Sequence, residues 1–218
     1  MYNKIKGDFM KIVFLGDSIR QQYTPRVQEL LGNDFKVWQP DENCRFSKYT
    51  LRGLFEWANY MEGADIVHWN NGLWDICDLF GYGPFSCEEE YIRNMMQIVD
   101  ILQKKHKVII FATTTPVREE NRYDKNVTIE RFNEIIVPKL KQNGVVINDL
   151  NSLLKADVYR YICEDTIHLS ADGIELCANQ VAECIKDVAK GIDKTLDINS
   201  TSSNNKANLD KTGLPVLL

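Results

Sequence analysis

The sequence predicts an α/β fold, a three-layer α/β/α sandwich in which a doubly wound, parallel sheet of about five strands lies between helices, as in flavodoxin-like proteins. Two observations support this prediction. Short, continuous apolar runs, typical of strands that are covered on both faces, alternate with longer segments that carry apolar residues at helical spacing. The chain has 218 residues, 44% of them hydrophobic, which is enough for one sizeable core and little for two. We therefore expect one domain over residues 1–190 and a polar tail over residues 191–218.

Five apolar runs are predicted to be the strands. They are Lys11–Leu15, Phe35–Trp38, Asp65–Trp69, Val108–Ala112 and Val145–Ile147. The first run stops at Gly16-Asp17-Ser18, so a hydroxyl lies at the end of a buried strand. Ligands bind at the carboxyl ends of the strands in open parallel sheets, and Ser18 therefore occupies a place where chemistry is expected.

Helix signals separate these runs. Thr24-Pro25 predicts a helix that starts with a proline at its first position, and Ser86 with Glu89 resembles a capping box. Ser170 is predicted to cap the final helix. Beyond Lys190 the chain is polar and poor in core-forming residues, which favours a mobile tail. The last residues, 214–218, are apolar and could dock on the body or on a neighbouring chain, so an oligomer is possible.

The three histidines of the chain have different surroundings. His106 follows two lysines and is interpreted as a solvated residue at a helix end, and His68 lies within an apolar run, as a hydrogen-bonded core histidine would. His168 lies in a polar loop, three residues after Asp165. This spacing lets one loop supply an imidazole and the acid that orients it, as a serine nucleophile requires.

Together, Gly16-Asp17-Ser18 and Asp165-x-x-His168 resemble the two outer motifs of the SGNH, or GDSL, hydrolase family, and the likeness spans roughly residues 10–188. The resemblance implies a GDSL-like esterase or lipase with Ser18 as nucleophile, His168 as base and Asp165 as the orienting acid. The backbone N–H of Ser18 would be the first oxyanion donor. No cofactor is expected, since the first loop has neither a dinucleotide-binding glycine pattern nor a Walker lysine.

The chain departs from the family at the other oxyanion donors. The family usually has a glycine after the second strand, where this chain reads Asn43-Cys44-Arg45, and Gly-x-Asn-Asp after the third, where it reads Gly72-Leu73-Trp74-Asp75. Asn70 and Asn71 are possible substitutes, although both could merely cap a strand and a turn. Adjacent side chains in an extended segment point to opposite faces, so only one can reach Ser18. We choose Asn70, because some family members look similar there, and expect Ser18, Asn43 and Asn70 to form the oxyanion hole.

The resemblance implies hydrolysis of short acyl esters, with O-acetyl groups on a carbohydrate favoured over a thioester or a lysophospholipid. An aromatic rim suited to a sugar face is predicted from Trp69, Trp74, Tyr82 and Phe85. A non-catalytic binding module with a degenerate oxyanion hole is an alternative, because Trp74 stands where the amide donor is expected.

A metal-dependent phosphoesterase is another alternative. It would use Asp17, Asp75, Asp165 and His168 as ligands. Such sites need closely grouped histidines and carboxylates, and three histidines, two of them with other interpretations, supply too few. We therefore predict no metal.

Composition restricts the partners and the compartment. A net charge of −5 and a pI near 5.3 argue against a nucleic-acid surface. No apolar stretch is long enough to span a membrane, and the N-terminus lacks the apolar middle of a secretory signal, so a cytoplasmic protein is expected, with Met1 or Met10 as its start. The six cysteines are not paired at zinc-site spacing and are expected to be reduced, buried thiols.

Overall fold

The computed structural model describes residues 9–207, with side chains described for residues 9–192. Five strands form one sheet in the order β2-β1-β3-β4-β5, and every neighbouring pair is parallel. The strands are β1 (Met10–Leu15), β2 (Phe35–Trp38), β3 (Ile66–Trp69), β4 (Val108–Ala112) and β5 (Val146–Asn148). The predicted doubly wound α/β sheet is therefore confirmed.

The strand order positions the site. The chain passes from β1 to β2 on one side, then crosses back over β1 to β3 and continues to β4 and β5. Winding therefore reverses between β1 and β3, and open α/β sheets bind ligands outside the carboxyl ends of the strands at such a switch point. Here those ends lead into Gly16–Ser18 and Asn70–Gly72.

Helices cover both faces of the sheet. They are α1 (Ser18–Leu31), α2 (Ser47–Glu56), α3 (Ala58–Met61), α4 (Leu73–Ile76), α5 (Glu88–Gln103), α6 (Asn126–Gln142), α7 (Leu150–Lys155), α8 (Val158–Tyr161) and α9 (Ala171–Ala207). Helices α1 and α9 pack together, whereas α5 packs against α2 and α6. Right-handed crossovers place helices of opposite winding direction on opposite faces, which produces the three layers.

The core explains why the central strands read as continuous apolar runs. In β1 the side chains from Ile12 to Leu15 are fully buried, and all four residues of β3 are buried too. A central strand with helices on both faces has no solvent-facing side, so polar alternation would place unpaired polar groups in the core.

Two helix starts differ from the predictions. Helix α1 begins at Ser18 rather than at Pro25, because Asp17 is its N-cap and accepts a hydrogen bond from the Ile19 N–H at 3.0 Å. Pro25 lies inside this helix, where burial of one face offsets the hydrogen bond that proline cannot make. The predicted capping box before α5 is wrong, since the Ser86 hydroxyl donates to Asp75 at 2.7 Å and no side chain caps that helix.

Helix α9 begins at the predicted cap and extends beyond residue 190. The Ser170 hydroxyl accepts a hydrogen bond from the Gly173 N–H at 3.1 Å, which confirms it as the cap of α9. Helix α9 continues to Ala207, beyond the predicted end of the domain at residue 190. The predicted docking segment, residues 214–218, lies outside the described residues.

Other expectations concern membranes and thiols. In residues 9–207 no helix has the length and apolar character that crossing a membrane requires. All six cysteines are free thiols. Cys44 and Cys177 are buried as expected, but Cys87 is exposed, so the expectation of uniformly buried thiols is wrong.

Candidate active site

A tight turn between β1 and α1 presents Ser18 at the switch point. Gly16 has a φ of +149°, and a Cβ there would lie 1.8 Å from the Asn70 Oδ1, so only glycine fits. Asp17, the N-cap, is buried and receives a second hydrogen bond from the Asn70 Nδ2 at 2.9 Å. The turn therefore holds Ser18 in the first turn of α1, where the helix dipole favours developing negative charge.

Ser18, His168 and Asp165 form a continuous line of hydrogen bonds. The Ser18 Oγ lies 2.8 Å from the His168 Nε2, and the His168 Nδ1 lies 2.8 Å from the Asp165 Oδ2. With its proton on Nδ1, the imidazole donates to Asp165 and accepts from the Ser18 hydroxyl. The structure thus brings together the three residues that the sequence predicts as nucleophile, base and orienting acid.

The Asp165 carboxylate is held in its ionised form. Its Oδ1 accepts hydrogen bonds from the backbone N–H groups of Ile167 at 3.1 Å and His168 at 2.9 Å. Although partial desolvation acts in the opposite direction, these bonds and the imidazole lower the pKa of Asp165. A carboxylate fixed in this way sets both the orientation and the tautomer of the imidazole.

The loop from Asp165 to His168, called the His168 loop below, contains a strained residue. Thr166 has a φ of +76°, a conformation that costs a β-branched residue about 1–3 kcal/mol. Its carbonyl accepts from the Arg118 N–H, and its hydroxyl accepts from the Asn121 Nδ2, both at 3.0 Å. Contacts from another loop therefore maintain the conformation that lets Asp165 reach His168.

Gln22 joins the His168 loop to the helix that carries Ser18. Its Oε1 accepts from the Leu169 N–H at 2.9 Å, and its Nε2 donates to the Leu169 carbonyl at 3.3 Å. Gln22 lies one turn after Ser18 on the same face of α1, and Leu169 follows His168 directly. One amide side chain thus sets the spacing between the nucleophile and the base.

The other two histidines lie away from this line. His68 is fully buried beside Phe14 and Tyr23, as predicted, and burial lowers its pKa to about 3. Its Nε2 lies 3.4 Å from the Asn148 Nδ2. The interpretation of His106 as a solvated residue is wrong, since it is part-buried and its Nδ1 lies 2.9 Å from the Ala64 carbonyl.

The loop after β2 brings Asn43 towards Ser18, but few of its N–H groups are available. The Cys44 N–H donates to the Gly16 carbonyl at 2.9 Å, and the Arg45 N–H donates to the Asn43 Oδ1 at 2.7 Å. Among the described residues, neither the Ser18 N–H nor the Asn43 N–H has a hydrogen-bond partner. These two backbone groups remain available for an oxyanion.

Asn70 and Asn71 differ in their contacts. Asn70 donates to Asp17, and its Oδ1 is buried with no partner in the described part of the chain. Asn71 is bonded at both ends, accepting from the Trp69 Nε1 at 2.7 Å and donating to the Arg45 carbonyl at 2.8 Å. Neither side chain lines the cavity beside Ser18, so the predicted donor role of Asn70 stays a prediction.

Two carboxylates of the alternative metal site, Asp17 and Asp75, are hydrogen-bonded to neighbouring groups of the fold. Asp75 is fully buried and accepts hydrogen bonds from the Ser47 N–H at 2.8 Å and from the Ser47 and Ser86 hydroxyls at 2.7 Å. Burial raises its pKa, although these hydrogen bonds act in the opposite direction. Across residues 9–192, three or more histidine, cysteine or acidic side chains are nowhere grouped so that they could hold a metal ion.

A cavity of about 370 Å³ opens beside Ser18 and is called the Ser18 cavity below. It is lined by Ser18, Asn43, Phe46, Leu73, Trp74, Cys77, Leu79, Phe85, Asp124, Ile167 and His168. The predicted aromatic rim is therefore correct in part. Trp74 and Phe85 line the cavity, Trp69 is fully buried in the core and Tyr82 is 96% exposed without lining the cavity.

Three residues near the site escaped the sequence analysis: Gln22, Asn121 and Asp124. The sequence does contain a signal for Gln22, because a residue four positions after Ser18 on a helix lies on the same face as Ser18. Asn121 and Asp124 lie in a charged loop between β4 and α6, and nothing in the sequence distinguishes them from solvated loop residues.

The chain matches no protein-family model and no curated protein. Solved structures do resemble it. A lipase/acylhydrolase from Enterococcus faecalis has a TM-score of 0.69 at 17% identity, over 82% of this chain and 96% of that one. A GDSL-like lipase from Bacteroides thetaiotaomicron has a TM-score of 0.65 at 14% identity, over 82% and 89%. An acetylxylan esterase from Geobacillus stearothermophilus has a TM-score of 0.66 at 18% identity, over 82% and 95%. This chain therefore has the fold of the GDSL-like lipases and acylhydrolases.

Proposed function

We propose that this protein is an SGNH-type serine esterase that hydrolyses carboxylic esters through an acyl-enzyme. The observation that carries the proposal is the hydrogen-bonded line from Ser18 through His168 to Asp165, at the switch point of the sheet and beside a cavity. A nucleophile within reach of a base, and a base oriented by an acid, is the arrangement that acyl transfer needs.

In the first half-reaction the Ser18 Oγ attacks the ester carbonyl carbon while the His168 Nε2 takes the hydroxyl proton. The tetrahedral intermediate collapses as the imidazolium gives this proton to the leaving alcohol. A water molecule, deprotonated by the same nitrogen, then attacks the carbonyl carbon of the acyl-enzyme. As the bond to the Ser18 Oγ breaks, the imidazolium returns this proton to Ser18 and the acid is released. Asp165 stays ionised throughout and stabilises the imidazolium.

The oxyanion receives two backbone donors in this proposal, the N–H groups of Ser18 and Asn43, neither of which has a partner in residues 9–192. The N-terminus of α1 adds its dipole at the same point. Asn70 is the proposed third donor, since an amide nitrogen carries two hydrogens and Asp17 takes one of them. Donors fixed in this way stabilise charge that develops only in the transition state.

Short acyl esters are the proposed substrates, with an O-acetyl group on a carbohydrate favoured. A cavity of about 370 Å³ is at the small end of ligand pockets, which suits a short acyl group and part of its alcohol. Trp74 and Phe85 offer aromatic surface to a sugar ring. One protein of the same fold is named an acetylxylan esterase, at 18% identity.

The test is a chain-length series of p-nitrophenyl esters together with a panel of acetylated sugars, with the Ser18→Ala protein as control. We expect turnover with acetyl and propionyl esters, and covalent labelling of Ser18 by a serine-directed phosphonate. Preference for long acyl chains would favour a lysophospholipid substrate over the carbohydrate. No turnover by a correctly folded wild-type protein would favour a binding module.

A further inference from the structure

Asp124 is a carboxylate in the wall of the Ser18 cavity, and one of its two oxygens has no hydrogen-bond partner among the described residues. It lines the cavity with Ser18 and His168, yet only 3% of its surface is exposed to solvent. Its Oδ1 is shielded from water and has no hydrogen-bond partner among the described residues. The neighbouring cation does not neutralise it, because the Lys125 ammonium donates to the Asn121 carbonyl instead.

The position of this carboxylate relative to the reacting groups is fixed by Asn121. The Asn121 Oδ1 accepts from the Asp124 N–H at 2.8 Å, and its Nδ2 donates to the Thr166 hydroxyl in the His168 loop at 3.0 Å. One buried amide therefore holds both Asp124 and the loop that carries the base. A carboxylate held in this way can bind a substrate group at a fixed position relative to Ser18.

The buried Asp124 carboxylate lowers the stability of the folded protein when no ligand is bound. Burial raises the pKa of Asp124 to about 6, although a hydrogen bond from the Cys77 thiol and the charge of Lys125 act in the opposite direction. It is ionised near neutral pH, and a buried ionised carboxylate with an unused oxygen is unfavourable unless a donor reaches it. The rest of the cavity wall is mainly apolar and aromatic, so a ligand in the cavity is the donor that could offset this cost.

We propose that Asp124 accepts a hydrogen bond from a free hydroxyl group of the substrate and so selects esters of polyols, a sugar ring foremost, over esters of simple alcohols. This inference rests on the proposed ester hydrolysis. Phe46, Trp74 and Phe85 meet edge to face beside the cavity and provide apolar surface for the C–H face of the ring. A carboxylate for the hydroxyls and aromatic rings for the C–H face match the two kinds of surface that a sugar presents.

A hydroxyl fits the surroundings of Asp124 better than an ammonium group does. Lys125 follows Asp124 in the chain, and the Arg45 guanidinium lies 6.0 Å from the ring centre of Trp74 beside the cavity. Asp124 is the only acidic residue in the described cavity wall. The Lys125 and Arg45 cations repel a positively charged ligand. A neutral donor is therefore the expected partner of Asp124.

The experiment compares wild type with Asp124→Asn on monoacetylated methyl xylopyranosides, their single-deoxy analogues and p-nitrophenyl acetate. In wild type, removal of one particular hydroxyl should lower kcat/KM by roughly tenfold to a hundredfold, the range for a hydrogen bond to a charged group. In Asp124→Asn the parent sugar ester should fall by a similar factor relative to p-nitrophenyl acetate, and the deoxy analogue should lose little more. Asp78→Asn is the matched control, since Asp78 lies outside the cavity wall and asparagine can still accept from the Gly81 N–H.

A structural role gives a different result. If Asp124 only supports its loop, Asp124→Asn should lower the melting temperature and leave the ratio between the two kinds of substrate unchanged. The proposal expects an equal or higher melting temperature, because the variant removes a desolvated charge. The proposal is overturned if kcat/KM of wild type is the same for the parent sugar ester and for every deoxy analogue. It is also overturned if wild type prefers protonated 2-(dimethylamino)ethyl acetate to the sugar esters.

Failure of the proposed hydrolysis can be told apart from failure of this inference. If wild type hydrolyses none of these esters, binding of methyl xylopyranoside is measured by calorimetry in Ser18→Ala and in Ser18→Ala with Asp124→Asn. Binding that weakens about tenfold or more on loss of Asp124 supports the inference without any turnover. Equal binding by the two proteins contradicts it.

Discussion

The two halves of the candidate active site are built in different ways. Ser18 lies on a turn whose neighbours, Gly16 and Asp17, are buried between the sheet and α1. His168 and Asp165 lie on a loop, and 37% and 49% of their side-chain surfaces are exposed. The first half is part of the core of the fold, whereas the second is held by a few hydrogen bonds from Gln22 and from the loop after β4.

This difference predicts how each half responds to change. Substitutions on the nucleophile side disturb buried, hydrogen-bonded groups and therefore cost folding free energy as well as activity. Substitutions on the base side remove exposed contacts, so they lower turnover and leave the melting temperature almost unchanged. The four predictions below test this division, from the largest expected effect on turnover to the smallest.

The largest effect is expected from His168→Ala. Loss of the base should lower kcat by about 10⁴ to 10⁶, and adding Ser18→Ala should lower it little further, because triad members act as a unit. The melting temperature should stay close to wild type. Steady-state kinetics and thermal unfolding check both points, with His106→Ala as the control that keeps its activity. Full activity in His168→Ala would end the assignment of the base.

The two asparagines after β3 should differ in how much each contributes to turnover. Asn70→Ala should lower kcat by about 10² to 10³, the loss typical of one oxyanion donor. Asn71→Ala should show a much smaller kinetic loss and a lower melting temperature, because it leaves the Arg45 carbonyl and the buried Trp69 Nε1 without their partner. Near-normal rates in both variants would mean that the backbone donors suffice, and the reverse ranking would move the donor to Asn71.

Gln22→Ala tests the connection between the halves. Without the two bonds to Leu169, the His168 loop can shift relative to Ser18, and misplacement by about 1 Å costs up to about 10² in rate. We expect kcat to fall by about tenfold while KM stays the same. Gln22→Glu should recover part of the loss, since it can still accept from the Leu169 N–H.

Gln21→Ala is the matched control for this contact. The Gln21 side chain donates to the Asp41 carbonyl, away from the His168 loop, so its loss should leave kcat unchanged. Equal effects of the two alanine variants would show that Gln22 contributes only general stability to α1.

The last prediction concerns His68 in β3, whose protonation should change stability most clearly and turnover least. Its pKa is about 3 in the fold because of burial, whereas an unfolded histidine titrates near pH 6.5. Between these values the unfolded chain binds the extra proton, so the free energy of unfolding falls as the pH drops, by about 2 kcal/mol between pH 6.5 and 5. Asp17 and Asp75 have raised pKa values and act in the opposite direction on acidification.

Urea unfolding of wild type and His68→Asn across this pH range isolates the histidine. We expect the wild-type free energy of unfolding to decline more steeply towards acid than that of the variant. Parallel pH dependences of the two proteins would show that the pKa of His68 in the folded protein is the same as in the unfolded chain.

The sequence by itself determined the architecture and the three residues that meet in the hydrogen-bonded line. Buried parallel strands must be continuously apolar, and their ends must come together at one edge of the sheet, so Ser18 could be predicted from a local pattern. The His168 loop was predicted from the Asp165-x-x-His168 spacing and from the resemblance to the SGNH hydrolases. For the same reason, all five predicted strands agree with the observed ones to within one residue at either end.

The tertiary structure alone decided what surrounds that line. Helix α1 starts at Ser18 because Asp17 caps it there, although a proline lies inside the helix. The Ser86 hydroxyl donates to the buried Asp75 carboxylate beside it and therefore does not cap α5. The positions of Asp124 and Asn121 beside the site depend on contacts between the loop after β4 and the His168 loop. Hydrogen bonds and burial between segments distant in sequence follow from chain packing, and no local propensity or spacing records them.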